Sequence, residues 1–440
     1  MSFDVFFGWC GVSHTSDFLS PSHTFPLPTW VLPALAAGNT VVLQPSTVGT
    51  GASAALLSVL VPKYLDRALV SLVGTGFARH KQPACTGYLL EPELLGKIIF
   101  TDRTHTQTRQ LHGLAARHLV PCVYEVYSHH NPVYIDNSVE DLDMAAKRVV
   151  WSCMCNAGQN RYAPKYVLCH QDVVTHFIGL CQQWCEYMYG HDPEQSAQFG
   201  RIVNQRNLQA LATVVKCTQE YALAYGQDPS EEEESAYDRA NVRSDWSYGF
   251  CNIVCGGTYN ALGLSPQSTL EHRYYAPTVL HVSRDVPILD EDFDIEDAMG
   301  GSSAGTSVGV CGPILSIVAV KDVHDAIAEM NGKRKRPLAM YIFSDNVEKT
   351  RTVVAQTSAG GVTINSCLWH TKHPELASSS NGQAPWRGRA SMETFSNMKA
   401  IMEKTSPRGC GPCSDSFWVY PPFSQFAALK LFVMNCCVRW

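Results

Sequence analysis

Apolar runs of strand length alternate with amphipathic stretches along the first 120 residues. The run "DVFFGWCG", Asp4 to Gly11, predicts a buried strand. "PTWVLPALAAGNTVVLQPS" predicts a short helix, a Gly38-Asn39 turn and a strand from Thr40 to Leu43. "ASAALLSVLVPKYL" is helical in pattern, "ALVSLVG" and "KIIFT" are strands, and "THTQTRQLHGLAARHL" is an amphipathic helix. Strands that alternate with helices in this way are joined by crossovers into a parallel sheet, an architecture common among nucleotide-binding domains.

A second alternating run begins near Glu125 and includes "DLDMAAKRVVWSCMC", "YVLCHQDVVTHFIGLCQQWCEYMYG", "GPILSIVAVKDVHDAIAEM" and "PLAMYIFSDNVEKTRTVVAQT". Residues 227–267, which include the four glutamates Glu231 to Glu234, read as a loop insertion whose charge run is a solvated face. A second insertion, residues 294–311, is rich in Gly and Ser and reads as flexible. Internal repeats are not detected.

Composition narrows the class. A chain of 440 residues with 45% hydrophobic and 17% charged positions buries a large core in two or three domains. A net charge of −6, with 34 scattered Lys and Arg, gives no footprint for nucleic acid. The 17 cysteines are odd in number and spread singly through apolar segments, which predicts reduced thiols in a cytoplasmic protein. The opening "MSFDVFFGWCGVSH" lacks a basic n-region, and no run reaches the ~20 apolar residues of a membrane span.

The ten residues "CNAGQNRYAP", Cys155 to Pro164, have the Asn, Gly, Gln and Pro frame of a loop that holds a nucleophile. With "TFPLPTWVLPALAAGNTVVLQPS", "KIIFTDRT", "RYYAPTVL", "GPILSIVAV", "RPLAMYIFS", "SAGGVTIN", "METFSNMKAI" and "YPPFS", it makes the chain resemble the aldehyde dehydrogenase superfamily, most of all its class 3 and fatty-aldehyde branch. The resemblance implies an α/β fold of the aldehyde dehydrogenase type. A Rossmann-like domain at 1–123, N-terminally shortened against the family, would precede a catalytic-type α/β domain at 124–390, and C-terminal oligomerisation elements would follow at 391–440. It also implies NAD or NADP as cofactor, a small-molecule aldehyde as substrate, and a homodimer or a hetero-oligomer with a homologue.

The departures from the family fall on positions that carry its chemistry. Family members attack the aldehyde with a cysteine, pass hydride to the nicotinamide and release the acid with water activated by a glutamate. The cysteine position is Arg161 here, and arginine holds its proton above pH ~12 and offers no lone pair. The general-base position keeps Glu125, but the family's two glycines beyond it are replaced by Tyr127 and Ser128. The oxyanion-binding Asn corresponds to Thr24.

Around the cofactor the resemblance implies roles for Gln44, Ser46 and Thr47 at the adenosine ribose, Asp102 and Arg103 at the diphosphate, and Glu291 and Phe293 at the nicotinamide ribose. At Gln44 and Thr47 the family's cation and anion are both absent, while Asp102 adds a carboxylate where a diphosphate docks. Arg103 offers partial compensation.

Other signals are discounted. Cys410-Gly411-Pro412-Cys413 has redox-motif spacing without a preceding strand, "GTGFAR" reads as a turn, and the histidines form no ligand set, so no metal is expected. Cys153 and Cys155 read as buried structural thiols. Three readings stay open at this point: a catalytically impaired member, or pseudoenzyme, acting through binding or assembly; an active aldehyde oxidoreductase using a displaced cysteine; and ester hydrolysis or hydration at Glu125. The apolar run from Phe426 to Val438 is too short to span a bilayer and reads as a tail packed on a dimer partner. Attachment to a membrane surface, with acylation at Cys436 and Cys437, is the alternative.

Overall fold

The structure is a computed structural model that describes residues 4–9, 31–44, 51–73, 95–102, 112–113, 115–126, 130–203, 205–225, 250–257, 273–284, 286–289, 312–332, 337–371, 373, 375–376 and 388–401. The chain forms two compact units, Met1–Phe395 and Ser396–Trp440. Both sheets belong to the first.

The first sheet contains β1 (Asp4–Trp9), β2 (Thr40–Gln44), β3 (Val70–Leu72), β4 (Leu95–Asp102) and β5 (Cys122–Val126) in the order β3-β2-β1-β4-β5. All four pairings are parallel. Helix α1 (Leu32–Ala36) leads into β2, and α2 (Gly51–Tyr64) crosses from β2 to β3. Ala54, Leu57 and Val61 form the buried stripe of α2. The order reverses between β1 and β4, which makes the carboxyl ends of those strands a topological switch point.

The second sheet has seven strands in the order β12-β11-β6-β7-β10-β9-β8. They are β6 (Pro132–Ile135), β7 (Tyr166–His170), β8 (Cys251–Cys255), β9 (Thr278–Val282), β10 (Ile314–Val320), β11 (Met340–Phe343) and β12 (Val362–Ile364). Every residue of β6, β7, β10 and β11 is buried, as expected of parallel strands covered on both faces, whereas the edge strands β8 and β12 are partly exposed. Helices α3 (Leu142–Met154), α4 (Val174–Tyr189), α5 (Gln205–Tyr225), α6 (Val323–Gly332) and α7 (Val347–Gln356) complete the unit together with α8 (Gly388–Phe395). Asp141 caps α3 by accepting from the Met144 N–H at 2.8 Å, and Gly190 ends α4 with φ +78.

The expected loop at 227–267 needs correction. Its "CNIVC" portion is β8, paired antiparallel with β9. Ile253 and Val254 are β-branched and fit a half-buried pleat, so five residues form a strand beside a strongly charged stretch. The four glutamates, the second insertion and the C-terminal tail lie outside the described residues. Among the described residues no helix is long and apolar enough to cross a membrane.

Two long-range ties hold the unit together. Asn39 donates from Nδ2 to the carbonyls of Ala34 (3.0 Å) and Phe395 (3.1 Å), and the Lys97 ammonium donates to the Thr394 carbonyl, so α8 is fastened to the first sheet. In the second sheet Asp136, fully buried, receives the Lys349 ammonium at 2.8 and 3.1 Å, the Tyr134 hydroxyl at 2.9 Å and the Ser138 hydroxyl at 2.5 Å. Burial alone would raise the pKa of Asp136, but the hydrogen bonds from Lys349, Ser138 and Tyr134 bring it down to about 2.

Asp136→Asn is expected to cost about 2–3 kcal/mol in urea unfolding, because Lys349 and Tyr134 lose a charged acceptor in a buried place. The folded pKa lies below the unfolded value of ~3.9, so the stabilisation is fully present above that value and disappears as pH falls through about 2. Unfolding midpoints measured between those pH values should fall in the parent and stay flatter in the variant.

Candidate functional site

Helix α3 ends at Met154, and the chain then turns through the residues of the nucleophile-type loop. Asn156 (φ 56, ψ 39) and Ala157 (φ 51, ψ 41) adopt left-handed backbone and Gly158 follows at φ +68, so three successive residues turn against the usual hand. Only glycine fits at 158. A Cβ there would lie 1.9 Å from the Gly312 carbonyl oxygen and 2.6 Å from the Pro313 nitrogen.

Side chains from elsewhere in the chain fix the turn. Gln159 is buried; it donates from Nε2 to the carbonyls of Asn156 (3.1 Å) and Arg201 (2.9 Å), and its Oε1 accepts the Val203 N–H at 2.8 Å. The Lys165 ammonium donates to the carbonyls of Gly158 (2.6 Å) and Gly312 (3.1 Å), joining the loop to the start of β10. Asn131, fully buried at the head of β6, donates to the carbonyls of Arg161 (2.7 Å) and Ala163 (3.0 Å) and accepts the Ala339 N–H at 3.0 Å. The Tyr341 hydroxyl donates to the Tyr162 carbonyl at 2.5 Å.

Arg161 stands in this frame at 6% exposure, its guanidinium carbon 5.2 Å from the centroid of the Tyr162 ring. The two cysteines that precede it are buried. Burial pushes the Cys153 thiol up to about 11, with the Lys165 ammonium opposing, and its Sγ lies 3.5 Å from the Ile314 carbonyl oxygen. A thiol in that state is protonated at neutral pH and weakly nucleophilic.

Of the other expected site residues, Gln44 ends β2, Asp102 ends β4 and Glu125 is the penultimate residue of β5. Register sets Gln44 level with Gly8, Thr101 level with both Trp9 and Glu125, and Asp102 level with Val126. The sheet thus brings the backbones of Gln44, Asp102 and Glu125 to one carboxyl edge, beside the reversal of strand order. Their side chains, and Thr24, Ser46, Thr47, Arg103, Glu291 and Phe293, lie outside the described residues. The edge suits a dinucleotide in topology. A carboxylate-bearing residue, Asp102, ends β4 and a neutral amide, Gln44, ends β2. Among the described residues no group of three His, Cys, Asp or Glu side chains is arranged to hold a metal ion.

Asn131, Lys165 and Tyr341 are parts of the site that sequence reading missed, since nothing in their local pattern links them to a loop up to 179 residues away.

The family model described as "Aldehyde dehydrogenase family" matches residues 24–245 and 302–401. Similar proteins include the dimeric NADP-preferring aldehyde dehydrogenase of Rattus norvegicus, 30% identical over 376 residues, which span 84% of this chain and 67% of that protein. Aldehyde dehydrogenase family 3 member B1 of Homo sapiens is 30% identical over 385 residues, 86% of this chain and 67% of that protein. The chain therefore spans about two thirds of the length of these relatives. Among solved structures, the substrate-bound AldH of Staphylococcus aureus superposes with a TM-score of 0.72 at 23% identity, covering 98% of this chain and 77% of that one. An aldehyde dehydrogenase of Mycobacterium tuberculosis complexed with NAD+ gives 0.64 at 20% identity, over 89% and 67%.

Gly158→Ala is expected to destabilise the chain by about 3 kcal/mol or more, from backbone collision added to left-handed strain. Gly38→Ala, at φ +86 with no atom within 4 Å of the added Cβ, should cost only about 1–2 kcal/mol. Equal losses in parallel urea titrations would refute the close approach of Gly158 to Gly312.

Proposed function

This chain belongs to the aldehyde dehydrogenase family, and we propose that it is a member that does not oxidise aldehydes and acts by binding or by assembly with a second copy or an active relative. The observation that carries this reading is Arg161, two residues after Gln159 in the loop that presents the nucleophile in the resembling family. A guanidinium keeps its proton and forms no thiohemiacetal. The displaced-cysteine alternative would draw on Cys153 or Cys155, and the burial of both speaks against it.

Within this reading residues 1–123 are a Rossmann-like domain, 124–390 a catalytic-type domain and 391–440 a return segment. NAD or NADP binding is weakened, because charge-assisted bonds expected at the ribose are absent at Gln44 and Thr47 and a carboxylate is added at Asp102. The relative named dimeric supports assembly as the surviving role.

Titration calorimetry with NAD and NADP should give dissociation constants weaker than low micromolar; tight binding of either would remove the cofactor part of the proposal. Incubation with medium- and long-chain aldehydes should yield no NAD(P)H absorbance from the parent chain. Arg161→Cys should restore little, since groups that act as a unit do not recover singly. Robust turnover of the parent, abolished by Cys153→Ser or Cys155→Ser, would overturn the reading in favour of a displaced nucleophile.

A further inference from the structure

The amino edge of the first sheet carries a lysine whose charge holds a helix. Lys97 is the third residue of β4, level with Val5 of β1 and one residue before the ladder to β5 begins at Ile98. Asn39 stands just before β2, so the two residues flank β1 at the amino edge, the end opposite to Gln44, Asp102 and Glu125. Both side chains reach the C-terminus of α8. The Lys97 ammonium donates to the Thr394 carbonyl, and the Asn39 amide donates to the Phe395 carbonyl at 3.1 Å.

These carbonyls are the last two of α8, and a helix leaves its final carbonyls without partners of their own. A cation placed there also meets the negative end of the helix dipole. The helix has little else to keep it formed. Its eight residues are fewer than an isolated helix needs to persist in water, and among its described side chains only Ser391 and Phe395 are buried. The Phe395 ring centroid lies 5.8 Å from Lys97 Nζ, and α8 packs on α1. Lys97 is thus a cap for the helix, a counter-charge at its end and a neighbour of its last buried ring.

We propose that Lys97 is an acylation site, and that transfer of an acyl group from a thioester to its Nζ releases α8 from the first sheet. In the transfer the unprotonated amine attacks the thioester carbonyl carbon, the C–S bond breaks, and the thiol departs with a proton from the nitrogen. The products are an amide and a thiol, and nothing is oxidised or reduced. The amide carries no charge and a single N–H, so the charged cap on Thr394 and the counter-charge at the helix end are lost together.

Two features favour Lys97 as the acceptor. It is half-buried and so within reach of solvent, whereas Ile98 and Ile99 after it are closed off. Burial also holds its pKa below the ordinary lysine value, which enlarges the unprotonated fraction that attacks. Lys216, by contrast, is exposed on α5 and pairs only with Glu220 one turn away, so its acylation would release no element of the fold.

The test uses the full chain incubated with acetyl coenzyme A at mildly alkaline pH, then peptide mapping and hydrogen exchange read by mass spectrometry. Lys97 should be acetylated at least as fast as Lys216. In the acetylated chain the amides of α8 should exchange faster by on the order of tenfold or more, the effect of one lost charge-assisted hydrogen bond, while those of β7 and β10 stay unchanged. Lys97→Gln should show the faster exchange without treatment, and Lys97→Arg, which keeps the charge, should retain slow exchange after it. The proposal fails if Lys97 stays unmodified while Lys216 is acetylated, or if α8 of the acetylated chain exchanges at the parent rate. Exchange that quickens equally in β7 and β10 also overturns it, because the modification would then unfold the chain instead of releasing one helix.

Discussion

The amide of Asn131 is the contact on which the shape of the site rests. One buried side chain at the head of β6 binds two carbonyls of the loop before β7 and one N–H of the segment before β11. Three backbone groups that would otherwise be buried without partners are satisfied at once, and each would cost about 1–3 kcal/mol if abandoned. The loop's course past residue 161 is thereby set by backbone bonds, independent of the side chain at that position.

That independence accounts for the chain's mixed character. The left-handed turn at Asn156 to Gly158, the Gln159 bridge to Arg201 and Val203, and the Lys165 clasp on Gly158 and Gly312 all hold main-chain atoms. None of these bonds uses the side chain at position 161, so the frame holds with a guanidinium there.

The cysteines follow a parallel logic. Cys153, Cys169 and Cys181 sit fully buried among apolar neighbours, where burial raises their pKa values and they pack as small hydrophobes.

Much of the architecture was legible in the chain. Apolar runs separated by helical periods identify the parallel strands β2, β3, β4 and β10 and the helices between them, because side-chain period and glycine or proline punctuation act within a few residues. The frame of the loop that carries Arg161 was legible in the same way. The strand β8 was not, since five half-apolar residues beside a run of glutamates become a strand only when β9 supplies the ladder. Nor were the clasp of Lys165 and the reach of Asn131 to Ala339. Each joins atoms whose separation is set by crossover connections and register, and those are decided when the sheets close. The sequence by itself determined the elements and the family frame; the tertiary structure alone decided which distant side chains hold that frame, because hydrogen bonds act over a few ångströms in space and not along the chain.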